Sequence, residues 1–188
     1  MTVNRVLYLF GSAAPPVLNI AGVIERAQAA DWDVCLGLTP TAARWLDDEL
    51  PALEELTGHP VRSQYKLPRE PDAWPPADVA VLAPATFNTI NQWALGITEK
   101  FIVGFVAEAI GKRIPTVTMP CVNAAYVQHT QFDISIATLR AMPGVRVLYG
   151  EGGFVPNKPG QGRPENYPWH LALEAAASAV SGRDPGGA

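Results

Sequence analysis

Side chains able to bind a ligand gather in four short clusters of this sequence, each placed directly after an apolar run. Ser12 follows "LYLFG", and Thr39 and Thr41 flank Pro40 after "VCLGL". Thr86, Asn88 and Thr89 follow "VAVLAPA", and Cys121 and Asn123 follow "TVTMP". Hydroxyl and amide groups at such places have two uses. A side-chain oxygen can cap the first turn of a helix. Together with the unpaired N–H groups of that turn it can also cradle a phosphate. Ser12 in "GSAAPP" reads either way. So does the Thr39–Thr41 pair, where Pro40 suits a first helical position behind a Thr39 cap. One cap accounts for one of Thr86, Asn88 and Thr89, not for all three. Taken singly, Cys121 reads as a small buried residue and Asn123 as a turn or cap residue.

The elements that carry these clusters alternate. Strand-like runs are expected at 5–10, 33–38, 79–83, 116–119 and 145–149, with a further short one at 61–65. Helical patterns fall at 17–30, from 41 to Gly58 with an interruption at Pro51, and at 88–97, 100–111, 127–142 and 167–180. The segment "KLPREPDAWPP" carries four prolines and reads as a loop. "GEGGFVPNKPGQGRPENYP" is too rich in Gly and Pro to form an element, and long loops of this kind are often functional. Such alternation predicts a single α/β domain of Rossmann-like, flavodoxin-like type. Its parallel sheet would be flanked by helices on both faces, spanning residues 1–181 before a frayed tail at 182–188. Ligands in such sheets bind beyond the carboxyl ends of the strands, where all four clusters fall.

Composition narrows the function classes. The 188 residues are 48% hydrophobic and 17% charged, which suits one globular domain with a sizeable core. A net charge of -4 without a Lys/Arg cluster argues against nucleic acid as a partner. No apolar run reaches membrane-spanning length, and "MTVNRVLYLFGS" lacks a cleavage signature and reads as the first strand. Cys35 and Cys121 form neither a disulfide framework nor a metal-spaced pair, so the expected compartment is the cytoplasm.

Taken together, the motifs resemble the flavin-dependent cysteine decarboxylase family, which includes phosphopantothenoylcysteine decarboxylase and the enzymes that decarboxylate C-terminal cysteines of lantibiotic peptides. "GSAA" is similar to the family's Gly-Ser-x-Ala-Ala turn, and "TPTAARWL" to its Thr-x-x-Ala segment. "ADVAVLAPATFNTINQWALGI" resembles the Ala-Asp-strand-Ala-Pro-Ala-x-x-Asn-Thr pattern, "PCVNAAY" the Pro-Ala-Met-Asn-x-x-Met motif, and "GQGR" the Gly-x-Gly-Arg behind a substrate-covering flap. The resemblance runs from Val6 to Arg163. It implies FMN at the strand ends, in a homo-oligomer (a trimer, or trimers assembled into a dodecamer), with a small-molecule or cysteine-containing peptide substrate. Gly11, Ser12, Ala13, Thr39 and Thr41 would lie near the phosphate and ribityl chain. Thr86, Phe87, Asn88 and Thr89 would contact the flavin, Cys121 would sit beside it, and Asn123 would bind the substrate carboxylate.

The sequence departs from that pattern in two places. The position of the family's active-site His falls near Glu70, in a loop without a His, which leaves Glu70 as the candidate base there. The position of the flap Cys falls on Pro156, which has neither thiol nor backbone N–H. A divergent member acting on another substrate, or a flavin-binding subunit without activity, are the readings this leaves. Trp93 is expected in the core or at a subunit interface, and His129 and His170 on helix surfaces.

Overall fold

The computed structural model describes residues 5–181; the expected tail at 182–188 lies outside them. The apolar runs form five strands, β1 (Arg5–Gly11), β2 (Trp32–Leu38), β3 (Val79–Ala85), β4 (Thr116–Pro120) and β5 (Val145–Val147). They make one sheet in the order β2-β1-β3-β4-β5. Every neighbouring pair is parallel, with Leu7 opposite both Val34 and Val79, and Val81 opposite Val117. A parallel sheet covered on both faces needs strands that are apolar throughout rather than alternating. The sequence supplies this: all seven residues of β3 are buried.

Among the described residues, seven α-helices connect and cover the strands: α1 (Ile20–Gln28), α2 (Pro40–Trp45), α3 (Leu50–Thr57), α4 (Phe87–Ala94), α5 (Phe101–Gly111), α6 (Thr130–Ala141) and α7 (Trp169–Ser181). Successive strand residues point to opposite faces. Phe10 accordingly packs against Phe101 and Phe105 of α5, while neighbouring Gly11 backs onto Val17, in the turn leading to α1.

Several boundaries differ from the sequence expectation, each for a local reason. Residues 15–19 form a tight 3-10 turn, so α1 begins at Ile20. Pro51 starts α3 rather than interrupting a longer helix, and Gly58 ends it in the left-handed conformation at φ 71°. α4 stops at Ala94 because Gly96 turns the chain away at φ 71°. The strand expected at 61–65 is reduced to one bridge, between Arg62 and Gly37. Beyond it the Tyr65 ring turns toward α5, its hydroxyl donating to the Thr98 carbonyl.

The sheet tolerates no side chain at Gly37. A Cβ there would stand 2.5 Å from Cδ1 of Phe10 and 3.4 Å from Ile102. Gly37→Ala is expected to lower stability by about 1–3 kcal/mol through overpacking. An unchanged urea midpoint would show that the Phe10 ring moves aside without cost.

Candidate ligand site at the carboxyl edge of the sheet

The four clusters converge because the strand ends are laced together by backbone hydrogen bonds. The Ser12 amide donates to the Pro84 carbonyl at 2.9 Å, the Thr39 amide to Gly11 at 2.9 Å, and the Cys121 amide to Ala85 at 2.8 Å. At Gly11 a Cβ would meet Val17 at 2.8 Å, so the β1 turn stays tight only with glycine.

Thr86, Asn88 and Thr89 divide their tasks. Thr86 caps α4, its Oγ1 accepting from the Thr89 amide at 3.3 Å. Thr89 is buried, and its Oγ1 accepts from the Ser12 hydroxyl at 3.1 Å and pairs with Thr86 Oγ1 at 2.9 Å. One proton bridges the two threonine oxygens, so the hydroxyl proton left over in the pair remains for a ligand. Asn88 is exposed and lines the open space beside them. Thr39 caps α2 by accepting from the Ala42 amide at 3.3 Å.

Asn123 is held in a single orientation. Its Oδ1 accepts from the amides of Ala125 (3.0 Å) and Tyr126 (3.1 Å). Its acceptor is therefore spent, and the NH₂ group is what remains to be offered. The same turn fixes the Tyr126 ring 4.9 Å from that of Phe87, and both rings line the site.

These groups enclose a cavity of about 840 Å³. That lies in the upper part of the usual range for small-molecule sites, ~300–1,000 Å³. Its roof is the Gly/Pro-rich loop after β5. The loop leaves β5 through a bridge between Tyr149 and Phe154 and is tied to the Asn123 turn where the Ala124 amide donates to the Asn157 carbonyl at 2.7 Å. The 3-10 turn Pro164–Asn166 then packs on the turn Pro15–Asn19, closing the span from β5 across to β1. Gly153 is the tight point at the root: a Cβ there would lie 2.3 Å from the backbone of Leu148.

The charge of the lining is one-sided. Lys100, Lys158 and Arg163 line the cavity, and among the described residues no Asp, Glu or His does. In a chain of net charge -4 the lining is locally positive, although Arg163 has Glu165 beside it at 3.8 Å. Ala13, Thr39, Thr41, Thr86, Phe87, Asn88, Thr89, Cys121 and Asn123 all face this one space. Gly11 and Ser12 shape its floor without lining it. Glu70 is elsewhere, in an exposed turn where its Oε2 accepts from the Leu67 amide at 2.8 Å. Trp93 is core. His59 pairs with Asp33 at 2.7 Å at the far end of β2, and exposed His129 caps α6 through Nδ1. Sequence reading had not singled out Lys100, Tyr126 and Lys158. The cation-bearing "NKPGQGR" of the roof was the available signal.

Burial pushes the Cys121 thiol up to about 11, so at neutral pH it is a protonated, weakly nucleophilic wall. Beneath it the Tyr167 hydroxyl donates to the Met119 carbonyl at 2.6 Å. Burial likewise raises Cys35 to about 12 and Tyr8 to about 12. Groups whose pKa rises on folding hold their stabilising share below the unfolded value and lose it as pH climbs through the folded one. Stability should therefore be level on this account below about 9 and fall between about 9 and 12. Urea midpoints across that range test this, and a flat profile to pH 12 would contradict the burial of these groups.

Comparison with known proteins agrees with this architecture. No curated protein matches the sequence. Solved structures of the same fold include the cypemycin decarboxylase CypD, at 18% identity over 96% of both chains with a TM-score of 0.71. The FMN-dependent cysteine decarboxylase TvaF from thioviridamide biosynthesis is 18% identical over 95% of this chain and 99% of its own, with a TM-score of 0.72. The FMN binding protein AtHal3 is 14% identical over 97% of this chain and 100% of its own, with a TM-score of 0.69. At these identities the likeness is one of fold. The sequence-family match is broader: the Flavoprotein model covers residues 3–167, and the chain belongs to the Flavoprotein family.

Proposed function

We propose that the chain binds FMN in the cavity at the carboxyl edge of the sheet and acts on a carboxylate-bearing substrate, as a divergent relative of the flavin-dependent cysteine decarboxylases. The observation that carries this reading is a lining rich in donors and cations with no carboxylate among the described residues. A phosphate-bearing, many-hydroxyl ligand with a flat ring fits such a lining. The anion would be held by the Ala13 amide with Thr39 and Thr41, and the hydroxyl chain by Asn88 and the spare proton of the Thr86–Thr89 pair. Bound there, a flavin supplies a two-electron acceptor.

The remaining roles belong to the chain. Asn123 donates to a substrate carboxylate, and Lys158 and Arg163 add attraction from the roof. Cys121 stays protonated and fills space. The loop at 66–76 carries no His and Pro156 stands at the flap position, which supports a substrate other than a cysteine-ended one. The same two departures favour a second reading, a flavin-binding subunit without turnover. Homo-oligomeric assembly, as a trimer in the cytoplasm, belongs to the proposal; exposed Leu95 and Ile97 after α4 are apolar surface it would cover.

Titration of the purified chain with FMN, followed by flavin fluorescence, should saturate. Failure to quench would sink both readings. Anaerobic bleaching of the complex by small thiol carboxylates separates turnover from mere binding. Asn123→Ala should slow that bleaching about ten- to hundredfold, the worth of one hydrogen bond to a charged group. Bleaching at the parent rate would remove Asn123 from the substrate site.

A further inference from the structure

Lys100 reaches the cavity wall from an element that carries none of the four polar clusters, the start of α5. The packing of that first turn fixes its place. The Phe101 ring meets Phe10 edge-on at 6.0 Å, and Ile102 would lie 3.4 Å from a Cβ at Gly37. The Lys100 carbonyl accepts from the Gly104 amide at 2.9 Å. Phe10 and Gly37 each stand one residue before the end of their strands, β1 and β2. The turn therefore lies against the two strand ends that continue into Ala13 and Thr39.

The polar groups at those two ends are donors whose acceptor sides are in use. Thr39 is only 4% exposed; its Oγ1 accepts from the Ala42 amide, and its own proton has no acceptor among the described residues. Thr41 Oγ1 accepts from the Arg44 guanidinium at 3.3 Å, which leaves the Thr41 proton to offer. The Ala13 amide makes no hydrogen bond among the described residues, whereas those of Ser12 and Ala14 donate to the Pro84 and Ser12 carbonyls. Lys100 makes no ion pair among them either, and Glu99 beside it in the chain does not line the cavity. Two hydroxyl protons, an amide and an ammonium, with no acceptor offered between them, suit an anion.

This end of the cavity is distinct from the Asn123 end. β1 and β3 separate β2 from β4, so the strand ends carrying Thr39 and the Asn123 turn are three strand spacings, about 14 Å, apart. Lys158 belongs with Asn123, because the adjacent Asn157 carbonyl accepts from the Ala124 amide. Arg163 has Glu165 at 3.8 Å. On the flavin reading proposed above, we infer that Lys100 is the counter-charge for the phosphate of the bound flavin and makes the site select FMN over riboflavin.

Two titrations of the full chain test this role. FMN and riboflavin, each followed by flavin fluorescence, should bind with FMN favoured. Lys100→Met should weaken FMN about ten- to hundredfold, the worth of one hydrogen bond to a charged group, and leave riboflavin within about twofold. Lys100→Arg should keep the preference. Equal weakening of both flavins, or an undiminished preference for FMN in Lys100→Met, would overturn the assignment. Orthophosphate alone, followed by backbone amide resonances, takes the flavin out of the question. Saturable shifts at Ala13 and Thr41 without shifts at Ala124 are expected, and they should be lost in Lys100→Met. If neither flavin binds, the flavin reading fails, while orthophosphate still decides whether Lys100 serves an anion. Absence of those shifts in the parent chain, or their persistence in Lys100→Met, would count against it; should that variant not fold, the parent titration stands alone.

Discussion

Where β1 and β3 lie side by side, the chain leaves them toward different faces of the sheet, β1 toward the turn at Pro15 and β3 into α4. A gap between diverging elements is where a ligand can enter, and it is also where the sheet is least supported. The Ser12–Thr89–Thr86 hydroxyl chain, buried at Ser12 and Thr89, spans that gap, with the Ser12 amide on the Pro84 carbonyl beneath it. A buried hydroxyl needs a partner, so each of these three oxygens fixes the next. The site geometry follows from that tie: Thr86 caps α4 only where Thr89 holds it, and Phe87 and Asn88 reach the cavity because α4 starts there.

The fold was legible in the sequence where periodicity was strong. The apolar run at 79–83 reads as a central parallel strand and is one, extended to Ala85, and the four polar clusters after such runs do meet at one edge of the sheet. What escaped was set by tertiary contacts. The run at 61–65 has strand-like residues, but with a single bridge at Arg62 it finds an aromatic surface instead of a ladder. The roof carries no periodicity at all; its course depends on backbone contacts at Gly153 and Ala124 that composition does not encode. Lys100 was invisible for a similar reason, since a lysine at a helix start acquires meaning only from the wall it stands in.

The site also separates structural from ligand-facing polarity within one motif. In "PATFNT", Thr86 and Thr89 are largely occupied in holding the edge together, whereas Asn88 and the Phe87 ring are left for a ligand. In "PCVNAAY", the oxygen of Asn123 builds the turn, and its nitrogen is left without that task in a residue that lines the cavity. A motif of this kind does both jobs with the same residues, and for that reason neither half of it reads clearly alone.

The composition of the cavity wall has a further consequence. Carboxylates and imidazoles are the side chains whose unperturbed charge changes in the acidic to neutral range, and the described lining contains neither. Its one thiol is held protonated to about 11. The wall itself thus contributes no group that ordinarily gains or loses a proton across physiological acidity, and the carboxylate adjoining it is Glu165, 3.8 Å from Arg163.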